Sequence, residues 1–189
     1  MHISDPTDLT LLQRIAARDS SALADLYDRH SRLLFGLILR IVRDRAEAEE
    51  ILQEAFVRMW TRAETYDTVL GGPLPWMVRV ARNLAIDRLR AQRVRAAIST
   101  QAPDGRTADA IASDIQGPEA VVVDTQRSQA LTDALAVLPA EQRQLIAAAF
   151  FEGYTHSELA RRFGLPVGTV KTRIRSGMIA MRQRLEHAV

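Results

Sequence analysis

The segment from Thr155 to Leu185 constrains the fold more than any other part of the chain. Thr155, followed three residues later by Glu158, is the pattern of a capping box that opens a helix. Gly164 suits the left-handed conformation in which such a helix ends. The sequence therefore predicts two helices joined by a short turn, a helix-turn-helix. The expected bounds are His156–Phe163 for the short helix, Leu165–Gly168 for the turn and Thr169–Glu186 for the long helix.

The long helix of this segment has two faces of different chemistry. At about 100° per residue, its apolar face holds Val170, Ile174, Met178, Met181 and Leu185. The opposite face is polar and basic and holds Lys171, Thr172, Arg175 and Ser176. A basic face alone fits a solvated surface helix as well as the major groove of DNA. We favour DNA binding because Ala160, Gly164 and Val170 also supply the small residue, positive φ and apolar anchor of a helix-turn-helix.

Charge is unevenly distributed, although the 189 residues carry a formal net charge of only +2. Lys171 is the only lysine, so nearly all of the positive charge is arginine. Basic segments at 79–95 and 156–189 flank a stretch, 99–126, whose acidic residues outnumber its single arginine.

The absence of cysteine excludes disulfides and thiolate metal sites. We see neither a signal peptide nor an apolar stretch long enough for a bilayer, and expect a cytoplasmic protein without membrane insertion.

Helical periodicity continues through the rest of the chain, and an aromatic content of 5% favours helix over sheet. Asp44, with Glu47 three residues later, predicts a capping box before a helix whose apolar stripe runs from Ala48 to Met59. Thr65–Pro73, with two glycines, is predicted to be a loop. The other predicted helices are Asp8–Arg18 capped by Asp5 or Thr7, one from Ser20 or Ser21 to about Ile41, Leu74–Ala97, one from Pro118 or Asp124 to Leu138, and one from Pro139 to about Glu152.

The expected architecture is all-α, with two small helical domains joined by a flexible linker and the helix-turn-helix in the second domain. We place the domains at residues 1–98 and 124–189, and the linker at 99–123. The stretch 99–117 mixes Pro, Gly, Ser, Asp and Ala without a clear period, which is typical of a linker.

Three motifs in this architecture carry a family resemblance. The third helix reads DRAEAEEILQEAFVRMW over residues 44–60, and the fourth begins PWMVRVARNLAIDRLR over residues 75–90. The long C-terminal helix contributes GTVKTRI over residues 168–174. These three motifs, in this order, resemble regions 2 and 4 of sigma factors of the extracytoplasmic-function (ECF) class. The resemblance covers nearly the whole chain. The resemblance implies a transcription initiation factor that binds core RNA polymerase, with region 2 in the first domain and region 4 in the second.

The resemblance also implies a role for each polar surface. A basic coiled coil of the polymerase clamp would contact Glu50, Gln53 and Glu54. Acidic residues near a helix N-terminus also complement its dipole, but the dipole does not explain Gln53. The duplex minus-35 element would be read by the basic face of the long helix, Lys171, Thr172, Arg175 and Ser176.

On the fourth helix, one face would bind the minus-10 element and take part in strand melting; it holds Arg79, Asn83, Asp87 and Arg90. The Asn83 position and the preceding loop would hold a promoter base swung out of the duplex. An amide can read a base edge because it both donates and accepts, whereas the alternative for Asn83 is a plain surface residue. We expect Trp76 to be a core aromatic.

Rival classes have less support in the sequence. An enzyme is disfavoured because the four histidines are scattered and form no ligand pattern, and we expect no catalytic residue, metal or cofactor. A repressor or response regulator would need a ligand pocket, receiver domain or dimer helix, none of which is apparent in the first half. With no internal switch evident, the resemblance implies control by an anti-sigma factor.

The sequence gives no reason for Gly177 inside a helix, where glycine costs about 1 kcal/mol relative to alanine.

Overall fold

The computed structural model describes residues 7–99 and 138–187 of the chain. The chain divides into two compact units between Val121 and Val122, and each is described by itself below. Every regular element within the described residues is helical, as the sequence predicts. The α-helices are α1 Asp8–Ala16, α2 Ser20–Val42, α3 Arg45–Arg62, α4 Pro73–Ser99, α5 Ala140–Phe151, α6 His156–Phe163 and α7 Val167–His187. None of these described helices combines the length and hydropathy that crossing a bilayer requires.

Several sequence predictions concern residues beyond these ranges. Ser99, the first residue of the predicted linker, is the last residue of α4. The rest of that linker, the helix predicted to begin at Pro118 or Asp124, and the cap proposed at Asp5 lie outside the described residues.

Helix α1 is two residues shorter than predicted, because Arg18 adopts a left-handed conformation with φ of 67°. The amide of Arg18 donates to the carbonyl of Ile15 at 2.9 Å, which is one of the two bonds of a Schellman ending. A non-glycine residue is strained in this conformation. Here the Arg18 guanidinium donates to Glu64 at 2.9 Å and lies over the Trp60 ring, 5.7 Å from its centroid. These contacts stabilise the turn that sends the chain into α2.

The core of the first unit lies where α1, α2, α3 and α4 pack together. The predicted apolar stripe of α3 is confirmed, since all six of its residues are buried: Ala48, Ile51, Leu52, Ala55, Phe56 and Met59. The amide of Glu47 donates to the Asp44 carboxylate at 2.8 Å and caps the helix. The Glu47 carboxylate accepts a hydrogen bond from Gln92 of α4 at 2.5 Å. Helix α4 is therefore tied to the first turn of α3.

A polar cluster joins α1 to α2 beside this core. The Asp8 carboxylate contacts His30 Nε2 at 2.8 Å with one oxygen and accepts a hydrogen bond from Arg29 at 2.8 Å with the other. Burial raises the pKa of Asp8, but the hydrogen bonds from His30 and Arg29 outweigh burial and leave that pKa below its ordinary value. The ionised carboxylate therefore stabilises the contact between the two helices.

The second unit contains the predicted helix-turn-helix. Thr155 and Glu158 form the full capping box, with amide-to-side-chain bonds of 3.2 and 2.6 Å, and Gly164 ends α6 with φ of 63°. Helix α7 begins at Val167 rather than Thr169. The carbonyl of Pro166 accepts a hydrogen bond from the Val170 amide at 3.1 Å, so the chain is already helical where a longer turn was predicted.

The core of the second unit is small, and the described buried residues at its centre are Leu145, Ala148, Leu159, Ala160 and Val170. The predicted apolar face of α7 is correct at Val170 and at Ile174, which packs against this core. It is wrong at Met178, which is 51% exposed. The buried face runs through Gly177 instead, because α5 approaches the helix at that position. The side chain of Leu185 lies outside those described.

Candidate promoter and polymerase surfaces

The proposed DNA-reading face of α7 is open to solvent. Lys171, Thr172, Arg175 and Ser176 are all exposed. Within the described residues, neither Lys171 nor Arg175 is in an ion pair. The hydroxyl of Thr172 donates to the carbonyl of Gly168 at 2.9 Å, and that of Ser176 donates to the carbonyl of Arg173 at 3.1 Å. As far as the structure describes the chain, the face presents two cationic side chains outside any ion pair and two hydroxyls bonded to their own helix.

Arg173 lies between these residues in sequence but has a different role. Its guanidinium is paired with the carboxylate of Glu141 in α5, and its side chain is 33% exposed. The pair links α7 to α5, and because Glu141 is 69% exposed it contributes little to stability. Sequence reasoning missed it, because helical spacing places Arg173 off the basic face but does not identify a partner on another helix.

The proposed minus-10 face of α4 is a single exposed strip. Arg79, Asn83, Asp87 and Arg90 are exposed, and the opposite side of the helix is buried at Met77, Ala81, Leu84 and Ala85. Arg82 is half-buried beside the strip. Burial lowers the pKa of Arg82, and the nearby charge of Arg90 acts in the same direction. An arginine remains protonated regardless, so this end of the strip keeps a concentration of positive charge suited to phosphates.

The loop between α3 and α4 is more ordered than the sequence predicts. It contains two short 3-10 turns, Ala63–Thr65 and Thr68–Leu70. Tyr66 donates its hydroxyl hydrogen to the carbonyl of Gly71 at 2.8 Å. Its ring meets the edge of the half-buried Trp76 ring, with centroids 5.5 Å apart. The expectation of a core role for Trp76 is therefore wrong, since its ring packs against the loop.

The proposed polymerase surface on α3 is also exposed. Glu50, Gln53 and Glu54 all reach solvent. Glu50 lies 3.4 Å from Arg88 of α4, and Glu54 pairs with Arg58 one turn along α3 at 2.8 Å. These exposed pairs are weak, so the carboxylates remain available to another cation.

Gln53 faces away from these pairs, into a groove between α2 and α3. The groove encloses about 370 Å³ and is lined by Tyr27, Ser31, Arg32, Phe35, Arg45, Glu49, Leu52 and Gln53. Its mixed aromatic and charged lining was not predicted, because it forms only when α2 and α3 pack.

Within the described residues, no group of histidine, aspartate and glutamate side chains could hold a metal ion. The candidate sites are surfaces of helices and one loop. They present cationic and amide groups on two faces and carboxylates on a third.

Two family models match this chain. The family model Sigma-70 region 2 matches residues 26–95, and Sigma-70, region 4 matches residues 128–181. The chain is similar to the ECF RNA polymerase sigma factor SigK of Mycobacterium tuberculosis, with 32% identity over 93% of this chain and 92% of that protein. SigK of Mycobacterium sp. (strain KMS) is 30% identical over 95% of this chain and 91% of that protein.

A solved structure is similar as well. It is that of Rhodobacter sphaeroides SigE in complex with the anti-sigma ChrR, with 30% identity, coverage of 95% of this chain and 99% of that chain, and a TM-score of 0.46. The two region models cover most of both helical units, and the SigK relatives align over almost the full length. The chain belongs to the ECF sigma factors of bacterial RNA polymerase.

Proposed function

We propose that this ECF sigma factor divides promoter recognition between the α7 face and the α4 face and binds core polymerase through α3. The observation that carries the proposal is that each set of residues occupies an exposed face of a helix whose opposite face is buried. Side chains arranged in this way are held in position by the core yet need no rearrangement to meet a partner.

The α7 face is proposed to read the duplex minus-35 element. Lys171 and Arg175 contact phosphates or guanine edges, and Thr172 and Ser176 lie within reach of neighbouring base edges. The buried Val170 and the close approach of Gly177 to Ile146 support this assignment, because they position the helix without using a residue of the DNA face.

The α4 face is proposed to bind the melted minus-10 element. Arg79 and Arg90 hold phosphates on either side of Asn83, whose amide reads the edge of an extruded base. Asp87 completes the strip and can accept a hydrogen bond from a base amino group. The half-buried Arg82 adds positive charge beside it.

Core polymerase is proposed to bind the α3 surface. Glu50 and Glu54 offer carboxylates to a basic coiled coil, and Gln53 offers an amide at the rim of the groove between α2 and α3. The aromatic side chains of Tyr27 and Phe35 in that groove supply apolar area of the kind that protein interfaces favour.

We propose that the protein acts in the cytoplasm, where core polymerase is found, and has no enzymatic activity of its own.

Its proposed regulator is an anti-sigma factor that covers the α3, α4 and α7 surfaces. The chain has no cysteine with which to sense oxidants, so a thiol switch within the protein is excluded. A protein inhibitor can act through a large interface without a ligand pocket.

The proposal is tested by transcription in vitro with purified protein, core polymerase and a library of promoter sequences, without any effector. We expect initiation at a defined subset of promoters as soon as the components are mixed, and none from core polymerase alone. A strict requirement for a small molecule or for phosphorylation would contradict the proposal and favour a response regulator.

A further inference from the structure

We propose that Tyr66 and Trp76 form a brace that holds the α3–α4 loop in its base-capturing shape before DNA arrives. In this role Tyr66 is a positioning residue: it acts through the loop and does not contact the base itself. The inference rests on the proposed minus-10 role of the Asn83 face and adds a residue to it.

Hydrogen bonds within the loop fix its path. Tyr66 and Gly71, which flank the second 3-10 turn of the loop, are joined by the 2.8 Å bond from the tyrosine hydroxyl to the glycine carbonyl. Between them the Asp67 carboxylate accepts from the Val69 amide at 2.8 Å, and the Gly71 amide donates to the Thr68 carbonyl at 3.3 Å. Gly71 has φ of 125°, a conformation that favours glycine. The loop is therefore closed by its own groups.

The ring contact attaches this closed loop to the helix that carries Asn83. Trp76 precedes Asn83 by seven residues, so both side chains lie on one face of α4, about 10 Å apart along its axis. Side chains on a helix lean towards its N-terminus, which directs Asn83 towards the loop. The T-shaped contact between Tyr66 and Trp76 sets the loop at the end of the strip that Asn83 occupies.

The exposed tip of the loop supplies a surface for the base. Val69 is 88% exposed, so an apolar side chain is available to a base that has lost its stacking partners. Extruding a base already costs unstacking free energy. Ordering the loop in the same step would add a conformational entropy cost, which the brace removes beforehand.

The test measures binding of holoenzyme to single-stranded non-template oligonucleotides spanning the minus-10 element of a promoter selected in vitro. Each oligonucleotide is paired with one that lacks a single base, and the ratio of their affinities is measured at every position. Tyr66→Phe keeps the ring but removes the hydroxyl. We expect it to lower the largest ratio about five-fold, the effect of removing one hydrogen bond, while binding to the abasic strand is unchanged.

Gly71→Ala perturbs the same bond from its other end and should produce a similar decrease. Thr65→Val is the matched control, because it removes a hydroxyl that donates to the Arg62 carbonyl at 2.8 Å without closing the loop. A Tyr66→Phe variant with the wild-type ratio, or with equally weakened binding to both strands, would overturn the brace. A wild-type protein that shows no base preference at any position would instead overturn the proposed minus-10 function.

Discussion

Gly177 in α7 faces Ile146 in α5 with no room for a side chain. A Cβ atom added to Gly177 would lie 2.7 Å from Cδ1 of Ile146 and 3.3 Å from Oε1 of Gln142. The isoleucine is only 8% exposed, so it has little space into which to move. The glycine costs about 1 kcal/mol in helix propensity, and in return the two helices approach closely. This contact supplies the reason for Gly177 that the sequence does not.

Gly177→Ala is therefore expected to destabilise the second unit by about 1 kcal/mol, because an overpacking cost of about 1–3 kcal/mol exceeds the gain in propensity. Ile146→Val removes the Cδ1 atom with which the new methyl group collides. The double variant should be more stable than the sum of the single effects by about 1 kcal/mol, measured by thermal unfolding of the full chain. Strictly additive effects would show that the two positions do not meet.

Lys171→Ala and Arg175→Ala should each weaken binding to duplex minus-35 DNA by about five- to ten-fold at low salt, because each removes an exposed cation. The slope of log affinity against log salt concentration should become shallower by about 0.9 for each phosphate that the variant no longer neutralises. Arg143→Ala removes an exposed arginine from α5 of the same unit and serves as the control. Equal weakening in all three variants would indicate a general charge effect and contradict the assignment to α7.

Asn83→Ala should leave duplex minus-35 binding unchanged and slow promoter opening about five-fold, since one hydrogen bond to an extruded base is worth about 1 kcal/mol. Opening is followed by permanganate reactivity of unpaired thymines in the minus-10 region. Gln13→Ala removes an exposed amide from α1 and is expected to behave as the wild type. Opening at the normal rate by the Asn83 variant would show that the base is held elsewhere.

Gln53→Ala and Glu54→Gln should weaken the complex with core polymerase several-fold while leaving the thermal stability of the free protein within about 0.5 kcal/mol, as is usual for surface substitutions. Competition against wild-type protein for core polymerase measures the effect. Asp28→Asn neutralises an exposed carboxylate on α2 and provides the control. Unchanged competition by both α3 variants would remove this surface from the polymerase interface.

Asp8→Asn should destabilise the first unit by about 1–3 kcal/mol at neutral pH, because the ionised carboxylate is hydrogen-bonded to the Arg29 guanidinium and to the His30 ring. The pKa of Asp8 is below its ordinary value of 3.8 in the folded protein. Its stabilising effect is therefore present above pH 3.8 and is lost as the pH falls through the folded pKa. Acid unfolding should consequently be less steep in the variant than in the wild type. Parallel acid transitions would exclude this contribution.

Local signals explain which parts of the fold the sequence predicts. The α3 stripe follows from helical spacing and the Asp44 cap, all within one segment. The end of α1 could not be predicted from local signals, because the left-handed Arg18 contacts Trp60 and Glu64, more than forty residues away along the chain. The exposure of Met178 was missed for a similar reason, since the position of α5 decides which side of α7 is buried.

The candidate surfaces, like the fold, include features that helical spacing predicts and features that depend on how the chain packs. Spacing along α4 was sufficient to place Arg79, Asn83, Asp87 and Arg90 on one exposed strip. Neither the hydrogen bond from Tyr66 to Gly71 nor the ring contact with Trp76 could be predicted, because both depend on how a glycine-rich loop closes. Whether the strip and the α7 face bind the promoter elements assigned to them stays a prediction for the experiments above.

On the proposed minus-35 face of α7, the anchored hydroxyls limit which base edges the helix can pair with. Because Thr172 and Ser176 give their hydrogens to carbonyls of their own helix, they present lone pairs to an approaching base pair. Lone pairs accept from the amino groups of adenine and cytosine, whereas the cations of Lys171 and Arg175 can only donate, to guanine or to phosphate. The helix thus offers donors and acceptors in alternating pairs. On the proposed minus-35 face, the matching major-groove edge would place base acceptors opposite Lys171 and Arg175 and base amino groups opposite Thr172 and Ser176.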